Sequence, residues 1–333
     1  MNITPADTPS TPDPRARRLV LAALASSLAG WGLTACGGGG GSKGGGNGNA
    51  GGASSANGSA TSDVVTTPAS TPLPLAKSAK RGIAYDLATA EDLGALAPGV
   101  SWWYDWGLRP NASAPADYRT RYRMDFQPML WNGNFDAAEV TAWLQSQPGI
   151  RHLLLLNEPN LGDQANLTPS QAAALWPRYE AVAAATGVKL VGPAITWGTM
   201  SGYADPVVWL DAFYAAYRAA SGNRDPQIDY LAFHWYDYGL GAQLDRLTKY
   251  GKPFWVTEFA NWHSPADGAQ IDTVTKQKVQ MTDMVATCES RDDVFRYAWF
   301  TGRWNNDVHH SSLLGANGVL TELGQHYLSL PFN

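Results

Sequence analysis

Cysteine is nearly missing from this 333-residue chain: only Cys36 and Cys288 occur, so no framework of disulfides can hold the fold and a packed core must do so. Long basic runs are missing too. With 24 Lys and Arg against 29 Asp and Glu, the formal charge is -5, which argues against nucleic acid or an anionic membrane surface as the main partner. No glycine-rich phosphate loop follows any apolar strand-like run, which excludes the usual dinucleotide and nucleotide folds and leaves no cofactor expected. Histidines at helical i, i+4 spacing are absent. The cluster Asp307, His309 and His310 therefore reads as a solvated loop and no metal is expected. Phenylalanine is scarce among the aromatics, with 9 against 14 Trp and 14 Tyr. Large rings carrying a polar handle exceed what a plain core needs and suit a surface that grips a neutral ligand.

What is present begins with Arg15, Arg17 and Arg18 ahead of an apolar run over residues 19–33, the pattern of an export signal and too short for an ordinary membrane span. The run closes in Leu33-Thr34-Ala35-Cys36, which resembles the lipobox of bacterial lipoproteins and implies lipidation at Cys36. Residues 1–36 are thus expected to be an export signal with a lipobox-like end, cleavage leaving Cys36 as a lipidated N-terminus and placing the protein at the cell envelope or cell surface as an exported lipoprotein. Residues 37–80 are rich in Gly, Ser, Asn, Ala and Thr, too polar to offset the entropy of ordering, and read as a linker. A flexible coil of that length spans roughly 35 to 40 Å.

From residue 81 to 333 the texture becomes that of one domain. Eight short apolar runs occur, at 81–86, 100–107, 125–130, 152–157, 189–195, 230–237, 253–259 and 294–301. Amphipathic stretches separate them, clearest at 136–147, 169–186, 206–220 and 270–290. Asp136, Thr168 and Asp205 suit helix N-caps, and Pro169 and Pro206 suit first-turn positions. Eight buried-type strands with crossovers in about 250 residues predict an α/β fold, a single (β/α)8 TIM barrel. A doubly wound open sheet is the alternative.

Barrel active sites lie at the carboxyl ends of strands, so polar residues just past apolar strand cores carry the functional reading. Four consecutive leucines, Leu153 to Leu156, open into Asn157-Glu158-Pro159-Asn160. Because a residue before proline is pushed from the helical region, Glu158 is expected to be extended, as the last residue of its strand. Phe254-Trp255-Val256 likewise runs into Thr257-Glu258-Phe259, and strict alternation gives Glu258, Val256 and Phe254 one facing. Strands four and seven of an eight-stranded ring can present Glu158 and Glu258 across one mouth. Two carboxyls so placed suit glycosidic bond cleavage, one protonating the leaving oxygen and one attacking or activating water, with mutual repulsion separating their proton affinities. A separation of about 5–5.5 Å is expected if the reaction retains configuration.

The Asn157-Glu158-Pro159 and Thr257-Glu258-Phe259 segments resemble those of clan A retaining glycoside hydrolases. Taken with Phe233-His234-Trp235-Tyr236, they are similar to glycoside hydrolase family 128, whose members cleave β-1,3-glucans. The resemblance spans roughly residues 81–330. It implies that Glu158 is the acid/base, Glu258 the nucleophile and Asn157 a ligand of the sugar 2-hydroxyl, and hence a retaining endo-β-1,3-glucanase. A β-1,4-linked glucan, mannan or xylan as substrate, or a glycan-binding lipoprotein without catalysis, are the competing readings. His234 and Tyr236 alternate on the sixth strand and can reach the nucleophile. Trp299 resembles the tryptophan flooring the sugar subsite, with Phe300 as the alternative. Trp103, Tyr104, Trp106, Trp131, Trp197, Trp262 and Trp304 fall at or beyond strand ends and read as sugar platforms. The expected partner is a neutral β-glucan, the membrane enters only through the lipid anchor, and the protein is expected to be a monomer. Cys288 reads as a buried small hydrophobe.

Overall fold

The apolar runs form parallel strands in a computed structural model that describes residues 76–333. The export segment, Cys36 and the linker up to residue 75 lie outside the described residues. The strands are β1 (Arg81–Ala84), β2 (Trp102–Tyr104), β3 (Asp125–Phe126), β4 (Met129–Leu130), β5 (His152–Leu155), β6 (Lys189–Ile195), β7 (Tyr230–Trp235), β8 (Phe254–Phe259) and β9 (Val294–Trp299). Their order in the sheet is β3-β2-β1-β9-β8-β7-β6-β5-β4, and every paired neighbour is parallel. The two end strands are consecutive in the chain. Only Gln127 and Pro128 separate them; Gln127 donates its N–H to Trp103 O at 2.9 Å, and Pro128 O accepts from Leu154 N at 2.9 Å. The sheet is therefore curled, consistent with an α/β barrel.

Helices α1 (Ala90–Leu96), α2 (Tyr118–Arg121), α3 (Ala137–Gln145), α4 (Pro169–Thr186), α5 (Pro206–Ala220), α6 (Leu240–Leu247), α7 (Val274–Ser290) and α8 (Glu322–Ser329) fill the crossovers. Their starts follow the expected chemistry. Asp136 accepts from Ala138 N and Glu139 N, Asp205 accepts from Val207 N, and Thr168 makes a reciprocal capping box with Gln171. The stretch at 270–290 starts later than expected, at Val274, because Thr273 provides the cap by accepting from Lys276 N. Helices α1, α2, α6 and α8 have shorter patterns that the sequence did not distinguish from loops.

Leu153 to Leu156 are all buried, each worth about 1.5–3 kcal/mol of transfer out of water. Strict alternation fails on β8, however. Trp255 contacts Trp102 of β2 at 5.0 Å and His152 of β5 at 4.9 Å, strands that are not its neighbours, so its ring fills the interior of the curled sheet. Register shifts between Phe233 and His234 and between Val256 and Phe259 let Trp255 and Glu258 both face inward. Beneath them the Arg296 guanidinium lies 5.0 Å from the Trp255 ring and 5.7 Å from the Trp102 ring. Burial and that cation push the His152 imidazole down to about 4, so it is neutral core.

Residues 77–80, which composition assigns to the linker, dock on the barrel. Lys77 Nζ donates to Val100 O at 2.7 Å and to Ala97 O at 3.1 Å, and Ser78 Oγ donates to Glu289 Oε1 at 2.6 Å. Gly82 carries a close approach on β1: a Cβ there would lie 2.3 Å from Trp102 Cε2. Gly82→Ala is expected to lower stability by about 1–3 kcal/mol through overpacking, read as a lower denaturant midpoint. An unchanged midpoint would show that the Trp102 ring can yield.

Candidate active site

Strand β5 ends at Leu155, and the chain then turns sharply upward into the mouth. Leu156 and Glu158 both adopt left-handed backbone, with φ of 54° and 44°. The expectation that Glu158 is extended is therefore corrected. Proline at 159 disfavours only the right-handed helical region for its predecessor, and the bond from Glu158 N to Ala194 O at 2.9 Å, with Leu161 N on Glu158 O, selects the left-handed alternative. Such conformations cost on the order of 1–3 kcal/mol each and concentrate at functional sites.

Glu158 and Glu258 are brought together, with 1% and 3% of their surfaces exposed. His234 stands between them: its Nδ1 is 3.0 Å from Glu158 Oε1 and 3.4 Å from Glu258 Oε2, while Nε2 is 2.9 Å from Thr257 Oγ1. One ligand atom from each of the three groups falls within 4.8 Å of the others. Among the described residues this is the cluster of His and carboxylates close enough to hold a cation. His309 and His310 instead face the backbone carbonyls of Ile271 and Asp272.

Glu258 receives three donors. Tyr104 OH and Trp106 Nε1 each donate to Oε1 at 2.8 Å, and Tyr236 OH donates to Oε2. Three donors converging on one carboxyl from three directions fix its orientation. Burial and the neighbouring Glu258 hold the Tyr104 phenol well above its ordinary value, which keeps it a donor. Trp106 thus contributes an N–H as well as a ring face. Asn157 is buried and donates Nδ2 to Gln164 Oε1 at 2.9 Å, leaving its Oδ1 without a partner among the described residues.

The aromatic residues divide by facing. Tyr236 stacks on Trp262 at 4.0 Å, and buried Phe300 packs against Trp106, Tyr236, Trp262 and Trp304 at 5.4 to 5.9 Å, one aromatic cluster beside Glu258 in which Trp106 and Trp304 are half-buried. Trp131 and Trp197 are half-buried past β4 and β6. Trp197 is held by Gln243 Oε1 at 3.0 Å under the Arg246 guanidinium. Two expectations are corrected. Trp103 is fully buried against Tyr118 and Phe126 on the outer side of β2, because Trp102 and Tyr104 take the inner facing. Trp299 is also fully buried, bonded to Ser311 O and packed on Phe259 and Tyr327, away from Glu258; Phe300 is buried as well, but on the other side, against Trp106 and Tyr236, which bond Glu258. Gln164, which holds Asn157, is missed by sequence reasoning because no motif or periodicity marks that loop position, and Thr257 is read there only as part of the Glu258 segment, not as the partner of His234 Nε2.

Asp105 follows Tyr104 at the rim, and its carboxyl is pushed up to about 7, first by burial and further by Asp86, against the bonds from Gly107 and Asn111 N–H. Its folded value lies above the ordinary 3.8, so its contribution to stability is fully present below about pH 4 and is lost as pH rises through about 7. Asp105→Asn is expected to remove that loss: the melting temperature of wild type should fall relative to the variant between pH 4 and 8, and parallel curves would refute the assignment.

The family model described as "Glycosyl hydrolase catalytic core" matches residues 82–327. A subgroup II endo-β-1,3-glucanase of family GH128 from Pseudomonas viridiflava is 64% identical, with 78% of this chain and 100% of that chain covered and a TM-score of 0.77. A subgroup I enzyme of the same family from Amycolatopsis mediterranei, solved with laminaritriose, is 26% identical over 75% of this chain and 98% of that one, with a TM-score of 0.56. Among curated proteins, Alkali-sensitive linkage protein 1 of Schizosaccharomyces pombe is 27% identical over 274 residues, 76% of this chain; the chain spans 45% of that protein's length. The strand-end glutamates, the donors around them and this similarity agree: the chain belongs to glycoside hydrolase family 128.

Proposed function

We propose that this chain is a retaining endo-β-1,3-glucanase, that residues 125–130 count as one strand of an eight-stranded barrel, and that Glu258 and Glu158 perform a double displacement. The observation that carries the mechanism is the approach of the two carboxyls, each with an oxygen within 4.8 Å of the other's. Retaining enzymes place them about 5–5.5 Å apart, whereas inverting ones need roughly 6.5–9.5 Å to admit a water. Glu258, held by Tyr104, Trp106 and Tyr236, attacks the anomeric carbon from one face of the ring. Glu158 protonates the departing glycosidic oxygen, then takes a proton from the water that releases the glycosyl-enzyme. His234, touching both carboxyls, fixes their relative orientation. The half-buried rings of Trp106 and Trp304, backed by Trp262 and Phe300, suit the apolar C–H faces of a neutral pyranose, and the expected substrate is a β-glucan. The similarity to laminaritriose-bound and endo-acting relatives supports the β-1,3 linkage.

Digestion of defined β-1,3 and β-1,4 oligosaccharides tests the reading. Internal cleavage of laminarihexaose with a β-anomer as first product is expected. Release of cello-, manno- or xylo-oligosaccharides alone, or an α-anomer first, would overturn it.

A further inference from the structure

Trp106 is held in an unfavourable shape: its φ is 62°, left-handed for a bulky residue, yet this places its indole N–H 2.8 Å from Glu258 Oε1. Some local contact must compensate, since such a residue costs free energy that its neighbours have to offset. The turn around it supplies one. Asp105 Oδ1 accepts the N–H of Gly107 at 3.0 Å, bridging over Trp106, and the Asp105 carboxyl also accepts from the backbone of Asn111. Gly107 O accepts from Met129 N at 2.8 Å, and Asn111 Nδ2 reaches both Asp86 oxygens at 2.9 and 3.0 Å, so both sides of the turn are tied to strand ends.

We propose that Asp105 is a positioning residue, which through the turn it anchors holds the Trp106 indole N–H on Glu258. Its partners are the backbone N–H groups of Gly107 and Asn111, not Glu258. Its loss leaves two backbone N–H groups without their acceptor and frees Trp106 to relax toward right-handed backbone, which carries the indole away from Glu258. Tyr104 and Tyr236 remain, so the loss is partial. The proposal rests on reading Glu258 as the nucleophile.

Kinetics on laminarihexaose with the full chain test it. Asp105→Ala is expected to lower kcat by roughly 10- to 100-fold, the size of one donor to a charged group, with KM within about twofold. Trp106→Phe, which keeps a ring but removes the N–H, is expected to match it. The double variant should lose no more than either single one, because both remove one interaction. Asp105→Asn, whose amide oxygen still accepts from Gly107, should return kcat to within about threefold of wild type. Should Asp105→Ala fail to fold, Asp105→Ser, with a shorter acceptor for the same turn, should show an intermediate fall in kcat. Multiplicative losses in the double variant, a change in KM alone, or no rescue by Asn would overturn the proposal. Retention of activity by Glu258→Ala would instead overturn the reading of the nucleophile.

Discussion

Glu258→Ala is expected to abolish hydrolysis of laminarin, by at least about four orders of magnitude, because a residue that forms the covalent intermediate has no substitute in a double displacement. The structure adds why no neighbour takes over. Among the described residues its oxygens are bonded by Tyr104, Trp106 and Tyr236, all donors; His234 is already engaged with Glu158 and Thr257, and Glu158 is committed to the leaving oxygen. Azide admitted to the space left by the side chain should restore turnover and yield a glycosyl azide of inverted configuration. Glu158→Gln should behave differently. Loss of the proton donor is expected to cost about 10²–10⁴-fold on the polymer, but much less on an aryl glycoside whose leaving group needs no proton. Reducing-end assays on both substrates separate the two roles. Equal losses on both substrates for the Glu158 variant, or azide rescue of that variant alone, would reverse the assignment.

The second large effect concerns stability. Arg81 is 1% exposed, yet its guanidinium is fully engaged: Nε donates to Tyr297 OH at 2.9 Å, Nη1 to Tyr327 O at 2.8 Å and Nη2 to Leu330 O at 2.9 Å. Glu289 Oε1 lies 3.8 Å away and also accepts from Tyr297 and Ser78. This network joins β1, β9, α7 and the chain's C-terminal turn. Removing one member of a buried charge pair leaves the other uncompensated, so Arg81→Ala is expected to cost about 3–5 kcal/mol. For a domain of this size that lowers the melting temperature by roughly 6–20 °C. The paired replacement Arg81→Met with Glu289→Leu should recover most of the loss, since neither charge then remains buried. Calorimetry reads both; a single variant within about 1 kcal/mol of wild type would show that the network is ornamental to stability.

The sequence carried far on elements whose signals are local. Leucine runs and short β-rich stretches gave the strands, and Asp136, Thr168 and Asp205 cap the helices they were expected to cap. The glutamates stood out because each ends an apolar strand, and the structure places both at one mouth. Facing was less legible. Trp103 and Trp299 lie one residue from Tyr104, which bonds Glu258, and Phe300, which packs on the rings beside it, and alternation offers no absolute phase for a strand buried on both sides. On β8 even the relative phase fails, since register shifts turn Trp255 and Glu258 inward together.

What the residues determine unaided is the set of buildable elements and the chemistry at their ends, because helix caps, strand periodicity and turn residues act over a few positions. Which rings meet the mouth, how Trp106 is turned onto Glu258 and where His234 stands were decided only by tertiary structure. Those outcomes depend on hydrogen bonds between strands that are dozens of residues apart, where a shift of one residue in register exchanges inside for outside.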